Sequence, residues 1–192
     1  MLLYKLTTQA NTTRSTTVWG ESVTHTAKGL GKELCSADVI HAYEDPLLAV
    51  LLNPIHVAIS KPKLWEADGV PVAKAWDKVG CKALTTKREI PLPLVTVEHK
   101  VRFAIGCALQ VYKDLTYQKW ALNWISGKDR SARAAYAAAY AAARADAAAR
   151  AAYAAYAARA AAYAAAAIDF KEIAKWAVSD AFIEELPGFV SN

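Results

Sequence analysis

The sequence predicts an α+β protein in which a small, mostly antiparallel β module is followed by a C-terminal helical bundle with a long alanine-rich helix. Short runs of β-branched residues bounded by turn residues occupy the first half of the chain, a pattern typical of strands. Beyond residue 94 the apolar residues recur at three- and four-residue spacings, which predicts helices. We therefore expect a β module at residues 1–93 and a helical region at residues 94–192, with Pro91 and Pro93 at the seam.

The β module is expected to contain four short strands and one short helix. Pro46 opens the apolar run Leu47–Leu52, and proline at a first helical position favours one or two helical turns. Asn53-Pro54 and Asp68-Gly69 are typical turn pairs. The predicted strands are Leu2–Leu6, Thr16–Trp19, Ile55–Ile59 and Lys82–Ile90.

Three ordinary helices are predicted in the second half of the chain. The first covers Thr96–Lys113, and the second covers about Tyr117–Ser126, where Gly127 is a typical stop. The third begins at Asp169, a residue type that caps helix N-termini, and is expected to end at Pro187-Gly188.

The alanine-rich segment, residues 131–167, lies between the second and third of these helices. It contains 26 alanines in 37 positions, and alanine has the highest helix propensity of all residues. A single helix of this length would span roughly 55 Å at about 1.5 Å per residue. The larger side chains change face after Arg144, which two antiparallel helices with a break near Ala145 would also explain. A single helix is favoured because the segment contains neither Gly nor Pro.

An alanine face lets a second helix approach closely. That second helix belongs either to a partner, including a second copy, or to this chain's own bundle, and the two interpretations are compatible. Tyr and Arg side chains border the alanine face, where they pair locally or bind a partner. In the alternative function they stack on a base and bind the phosphate of an anionic nucleotide. The candidate binding residues are Arg133, Tyr136, Tyr140, Arg144, Arg150, Tyr153, Arg159 and Tyr163.

Charge and cysteine content exclude several classes of protein. The net charge of +5 is spread over both halves, unlike the concentrated charge of a specific duplex-DNA binder. Charged residues recur through the alanine-rich segment, which argues against a membrane span. The N-terminal apolar patch is too short for a signal-peptide core. Three distant cysteines without a CxxC pair fit a reducing compartment, so we expect a cytoplasmic protein.

No catalytic set is recognisable in the sequence. It lacks GxSxG, HExxH, a phosphate-binding glycine loop and a dinucleotide fingerprint, so an enzyme is the less favoured class and no cofactor or metal is predicted. His41 lies near Glu44 and Asp45, with Cys35 upstream, but this spacing matches no zinc pattern, and a structural role is expected for the histidines. The tryptophans at 19, 65 and 76 are expected to anchor the core.

The N-terminal residues carry a pattern of short motifs. In this pattern an early Tyr4-Lys5 and Leu34-Cys35 precede His41-Ala42, Pro46-Leu47 and a strand ending at Glu66 to Gly69. This order resembles an uncharacterised domain common in phage and prophage proteins, over about residues 1–90. The chain departs from that pattern at Val39-Ile40, where the family usually has Gly-Phe, and at Tyr43, which replaces a second Cys.

The C-terminal half resembles the alanine-, arginine- and aromatic-rich helical domains that follow such a domain in phage proteins. The matching pieces are Arg102–Ala108, Trp124–Lys128 and the alanine repeats. The resemblance implies a phage accessory gene product without an established activity. We therefore expect a non-enzymatic viral protein in the host cytoplasm that binds and neutralises a host defence component. The alternatives are sequestration of an anionic nucleotide and a nucleotide-dependent transferase.

Overall fold

The computed structural model describes residues 1–13, 16–75, 77–111, 115–131, 169–179 and 181–189. Within them the chain is α+β, and it divides into two compact units, Met1–Leu94 and Val95–Asn192. The helix predicted for residues 131–167 lies, apart from Ser131, outside the described residues, as does Trp76. The first unit contains β1 (Leu2–Thr7), β2 (Thr12–Thr13), β3 (Thr17–Val18), β4 (Thr24–Thr26), β5 (Ile40–Ala42), α1 (Pro46–His56), β6 (Lys63–Lys74) and β7 (Val79–Ile90). The second contains α2 (Val97–Val111), α3 (Leu115–Ile125), α4 (Phe170–Val178) and a 3₁₀ turn at Ile183–Glu185.

The antiparallel sheet of the first unit closes on itself. β6 and β7 pair along their length, β1 adds to β6, and β4 and β5 pair with β7. Tyr4 and Tyr43 then exchange two backbone hydrogen bonds, of 2.8 and 2.9 Å. Because Tyr43 directly follows β5, this bridge joins β5 to β1 and completes a ring of β1, β6, β7 and β5.

A cluster of apolar side chains forms the core of this ring. Trp19 belongs to it and Trp65 is buried as well, so their predicted role as core anchors is confirmed. The Trp65 indole donates to the Thr7 hydroxyl at 3.1 Å, and the Trp19 indole donates to Thr13 at 2.8 Å, so both polar groups are satisfied as burial requires. The cluster consists of Leu3, Trp19, Ala42, Ala67, Val79, Cys81 and Leu84.

The predicted strand at Ile55–Ile59 is wrong, because its first residues belong to α1. The Asp45 carboxylate accepts from the Leu48 backbone N–H at 2.9 Å, which caps the helix, and Pro46 occupies its first turn. Burial of α1 leucines then extends the helix through Pro54 to His56. The β propensity of Ile55 and Val57 is overridden by this packing.

The longest missed element is β6, whose Asp68-Gly69 pair was predicted to be a turn. Asp68 and Gly69 instead pair with Thr85 and Leu84 of β7. Bulges on either side of Pro71 accommodate the residues that usually break strands. The strands predicted at Leu2–Leu6 and Lys82–Ile90 are confirmed as parts of β1 and β7.

In the second unit, α2 and α4 pack closely. A Cβ on Gly106 of α2 would lie 2.8 Å from Ile173 Cγ2 of α4, so the glycine permits the approach. The predicted start at Asp169 is confirmed, since its carboxylate accepts from two backbone N–H groups of the first turn. The expected extension to Pro187 is wrong: α4 ends at Val178, because Ser179 takes an extended conformation and its hydroxyl donates to the Trp176 carbonyl at 2.8 Å.

Candidate functional site

The chain after α4, residues 181–189, is held in place by three side chains from helices. Arg102 Nη2 donates to the Ala181 carbonyl at 2.6 Å, Trp176 Nε1 donates to the Phe182 carbonyl at 2.8 Å, and Gln110 Nε2 donates to the Pro187 carbonyl at 2.8 Å. We call residues 181–189 the C-terminal segment. Its backbone is therefore fixed although it contains only one short 3₁₀ turn.

The Phe182 side chain is exposed although its backbone is held in place. Phe182 is 70% exposed whereas its neighbour Ile183 is 3% exposed. The extended backbone at Phe182 sends successive side chains to opposite sides, so burial of Ile183 leaves Phe182 in solvent. Phe182 falls within the range predicted for the last helix but lies outside the helix, which ends at Val178.

A cavity of about 260 Å³ lies between α3 and the C-terminal segment. Its α3 side is formed by residues at positions i, i+3, i+4 and i+7, which share one helical face. The opposite side is formed by Phe182, Ile183 and Glu184. We call this feature the Phe182 cavity; its lining consists of Lys119, Leu122, Asn123, Ile125, Ser126, Lys128, Phe182, Ile183 and Glu184.

The end of α3 that borders the cavity is well capped. Gly127 has φ +76°, the conformation that ends helices, so the predicted stop is confirmed. Arg130 Nε donates to the Trp124 carbonyl at 3.0 Å, and its Nη2 bonds to Glu98 of α2 at 2.7 Å. A cation on the last carbonyls of a helix is favourable. Both sides of the Phe182 cavity are thus preorganised.

The cavity carries a small excess of positive charge. Among the lining residues, Lys119, Lys128 and Glu184 are exposed, which gives two cations against one anion; the carboxylate of Glu185, outside the lining, accepts from the Phe182 backbone N–H at 3.3 Å. Ion pairs among the described residues of this unit join Arg130 to Glu98 and Lys175 to Glu172. Neither of them uses a lysine of the cavity.

A second cluster, Tyr43–His56–Asp77, lies in the β-containing unit. The Tyr43 hydroxyl is 2.9 Å from His56 Nδ1, and His56 Nε2 is 2.8 Å from Asp77 Oδ2. Lys78 Nζ is 3.7 Å from the same carboxylate oxygen. Tyr43 lies at the ring closure after β5, His56 at the end of α1 and Asp77 in the β6–β7 turn. The cluster therefore connects these three parts of the unit. This order of hydroxyl, imidazole and carboxylate can relay a proton, but the His56 and Asp77 side chains are only 12% and 3% exposed.

Burial and nearby charges shift the pKa of Asp77 in opposite directions and that of Tyr43 in the same direction. Burial alone raises the pKa of Asp77, but the His56 hydrogen bond and the charges of Lys78 and His56 outweigh it, so the pKa lies below the ordinary value. Burial, with the nearby Asp77 charge, raises the pKa of the Tyr43 phenol. Asp77 is therefore ionised and Tyr43 protonated at neutral pH. The cluster connects three elements of the fold, and its burial favours a structural role over a catalytic one.

The unit containing Asp77 should lose stability in acid. Because the folded pKa of Asp77 lies below its ordinary value of 3.8, its contribution is present above about pH 4 and is lost as the pH falls through the folded pKa. Asp77→Asn should flatten the acid limb of a plot of unfolding free energy against pH, measured by hydrogen exchange of β1 and β7. Asp38→Asn is the control, and an equal flattening in that variant would contradict the assignment.

Cys35 and His41 are joined by a hydrogen bond between the Cys35 backbone and the His41 ring. The Cys35 N–H donates to His41 Nε2 at 3.0 Å, so that lone pair is already engaged. Groups of three or more His, Cys, Asp or Glu side chains able to hold a metal are absent from the residues that the structure describes. The imidazole of His41 therefore orders the loop before β5.

The eight candidate residues of the alanine-rich segment, from Arg133 to Tyr163, all lie outside the described residues, so the structure brings none of them together. The Phe182 cavity was missed because its two sides are separated along the chain by that segment. One signal was present: the polar pair Ser179-Asp180, one residue before Phe182-Ile183, interrupts the apolar spacing of α4.

Comparison of the chain with protein-family models, curated proteins and solved structures gave no match. Among the described residues, no helix has both the length and the apolar character needed to cross a membrane. Any functional conclusion for this chain therefore depends on the geometry of its two units.

Proposed function

We propose that this chain is a non-enzymatic binding protein that docks on another protein through the Phe182 cavity. The observation that carries the proposal is an exposed aromatic ring on a backbone held by three hydrogen bonds from α2 and α4. An aromatic residue whose backbone is already held loses less conformational entropy on binding than one on a loose segment, and aromatic residues dominate the affinity of interfaces. A phenylalanine side chain that is 70% exposed contributes little of its apolar area to the stability of this chain.

The phage-like motifs extend the proposal to its biological setting. On that resemblance, the chain is a phage accessory protein that acts in the host cytoplasm and neutralises a host component such as a defence protein. In this proposal residues 131–167 form one long helix of a C-terminal bundle. The small side chains of that helix offer a second close-packing surface to the same partner or to a second copy.

The proposal predicts that capture of a host protein depends on Phe182. The tagged full-length chain, expressed in a bacterial host, should retain a specific protein after cross-linking, and Phe182→Ser should reduce that retention about tenfold or more, since loss of a central aromatic anchor costs about 2 kcal/mol or more. Leu30→Ser is the matched control, because Leu30 is 99% exposed in the other unit.

Two results would contradict this function. One is that no protein is retained, and the other is that Phe182→Ser and Leu30→Ser retain it equally. Sequestration of a nucleotide gives a different signature, a rise in melting temperature on adding nucleotide with capture independent of Phe182.

A further inference from the structure

We infer that the occupant of the Phe182 cavity is an acidic segment of a partner protein that inserts one bulky apolar side chain. This inference rests on the proposed function and names the chemistry of the partner. Its three grounds are the size of the cavity, the distribution of polar and apolar groups in its lining, and the charge at its rim.

The size of the cavity favours a side chain over a free cofactor. Sites for drug-sized ligands and cofactors usually enclose about 300–1,000 Å³, whereas this cavity encloses about 260 Å³. One aromatic or large aliphatic side chain fits such a space. The half-buried Leu122 supplies apolar surface for it beside the buried Ile125 and Ile183, and the exposed Phe182 lines the same space.

The polar groups of the lining surround this apolar surface on the α3 side. Lys119 and Asn123 lie one turn apart on α3, and Ser126 and Lys128 follow at its end. The Ser126 hydroxyl proton is engaged with the Leu122 carbonyl at 2.7 Å, so the charged donors that the lining offers to a ligand are the two lysines. Carboxylates are the groups best suited to two ammonium ions beside an apolar pocket.

The rim charge also determines which partner is rejected. With two lysines against Glu184, a basic segment would bring like charges together, which weakens association and slows encounter. An acidic segment gains attraction that is sensitive to salt because the lysines are exposed. The inferred ligand is therefore a large apolar side chain with Asp or Glu on both sides of it.

The probe is a short labelled peptide with one central tryptophan flanked by glutamates, titrated into the full-length chain and followed by fluorescence anisotropy. Two matched peptides replace the tryptophan by serine or the glutamates by lysines. We expect the first peptide to bind, both matched peptides to bind about tenfold more weakly or not at all, and added salt to weaken binding.

The charge-reversal variant Lys119→Glu/Lys128→Glu should weaken binding of the acidic tryptophan peptide about tenfold or more. Lys32→Glu/Lys87→Glu changes the net charge equally at exposed lysines of the first unit and should change binding by less than about twofold. Circular dichroism melts of both variants establish that they are folded.

Each remaining outcome is decisive. Equal binding of the acidic and basic peptides overturns the inferred charge of the partner. Absence of peptide binding, with Phe182-dependent capture intact, overturns the acidic segment but leaves the proposed function standing. Concentration-dependent self-association that the peptide abolishes would show that a second copy is the occupant, which also overturns the inference. Peptide binding without any captured host protein would instead contradict the proposed function.

Discussion

Substituting His56 by alanine should lower the free energy of unfolding of the β-containing unit by about 3 kcal/mol, because it removes a hydrogen bond from a buried carboxylate and leaves that group unsatisfied. The Asp77 side chain is 3% exposed, so its carboxylate cannot recover the lost bond from bulk water. Lys78 Nζ, at 3.7 Å, lies beyond a good hydrogen-bond distance. The substitution therefore leaves a buried anion with poor compensation.

Tyr43 adds to the cost of the same substitution. Its hydroxyl loses the bond to His56 Nδ1, and its ring loses a stacked neighbour at a centroid distance of 5.8 Å. The backbone of Tyr43 also forms the bridge that closes the strand ring. We therefore expect the loss of protection to reach β1 and β5 as well as the end of α1.

Hydrogen exchange followed by mass spectrometry is the appropriate measurement, because a chain of two units does not guarantee a single unfolding transition. His25→Ala is the matched control: its ring bonds to the Val18 carbonyl at 2.7 Å without a buried carboxylate partner, and its loss should cost about 1 kcal/mol. An effect of His56→Ala no larger than that of His25→Ala would show that the cluster contributes little.

The His56 cluster also illustrates what the sequence could and could not predict. The strands at β1 and β7, the N-terminus of α1 at Pro46 and the end of α3 at Gly127 have local signals, either alternation or capping chemistry. The pairing of His56 with Asp77 has no local sequence signal, because the end of a helix and the turn between two strands come together only once the sheet has curled. The bridge between Tyr4 and Tyr43 is a backbone contact that no side-chain pattern records.

The errors at β6 and α4 have physical reasons of the same kind. Gly69 and Pro71 break strands in isolation, but bulges next to a long partner strand absorb them. At α4 the apolar residues Trp176 and Phe182 suggested a continuous face, yet the serine hydroxyl at 179 offered the last turn an alternative hydrogen bond. The Phe182 cavity depends on that early end, so a site prediction based on helical spacing could not include it.

Trp176 is expected to show the second large effect, because it serves the core of the helical unit and the C-terminal segment at once. It is 4% exposed, and Arg102 lies over its ring at 4.4 Å. Trp176→Ala should destabilise this unit by about 3–5 kcal/mol, the usual cost of removing a buried tryptophan. Loss of the cation–π contact adds to that cost.

The substitution Trp176→Phe separates the two roles. A phenylalanine ring retains most of the packing but removes the indole N–H that donates to the Phe182 carbonyl at 2.8 Å. We expect a modest loss of stability, about 1–2 kcal/mol, together with faster exchange of the Leu186 and Phe189 amides, which bond within the C-terminal segment. Amides of α2 far from the segment should be almost unchanged.

Peptide binding by Trp176→Phe tests whether fixation of Phe182 contributes to recognition. If an immobilised Phe182 is what makes the cavity a docking site, Trp176→Phe should weaken binding of the acidic tryptophan peptide although every residue of the cavity lining is still present. The added entropic cost of ordering the segment on binding accounts for that loss. Gln118→Ala, at a buried polar position of α3, is a control of similar expected cost to stability that leaves the segment's bonds intact. Equal binding by the parent chain and Trp176→Phe, with faster segment exchange confirmed, would show that fixation of Phe182 has no part in recognition.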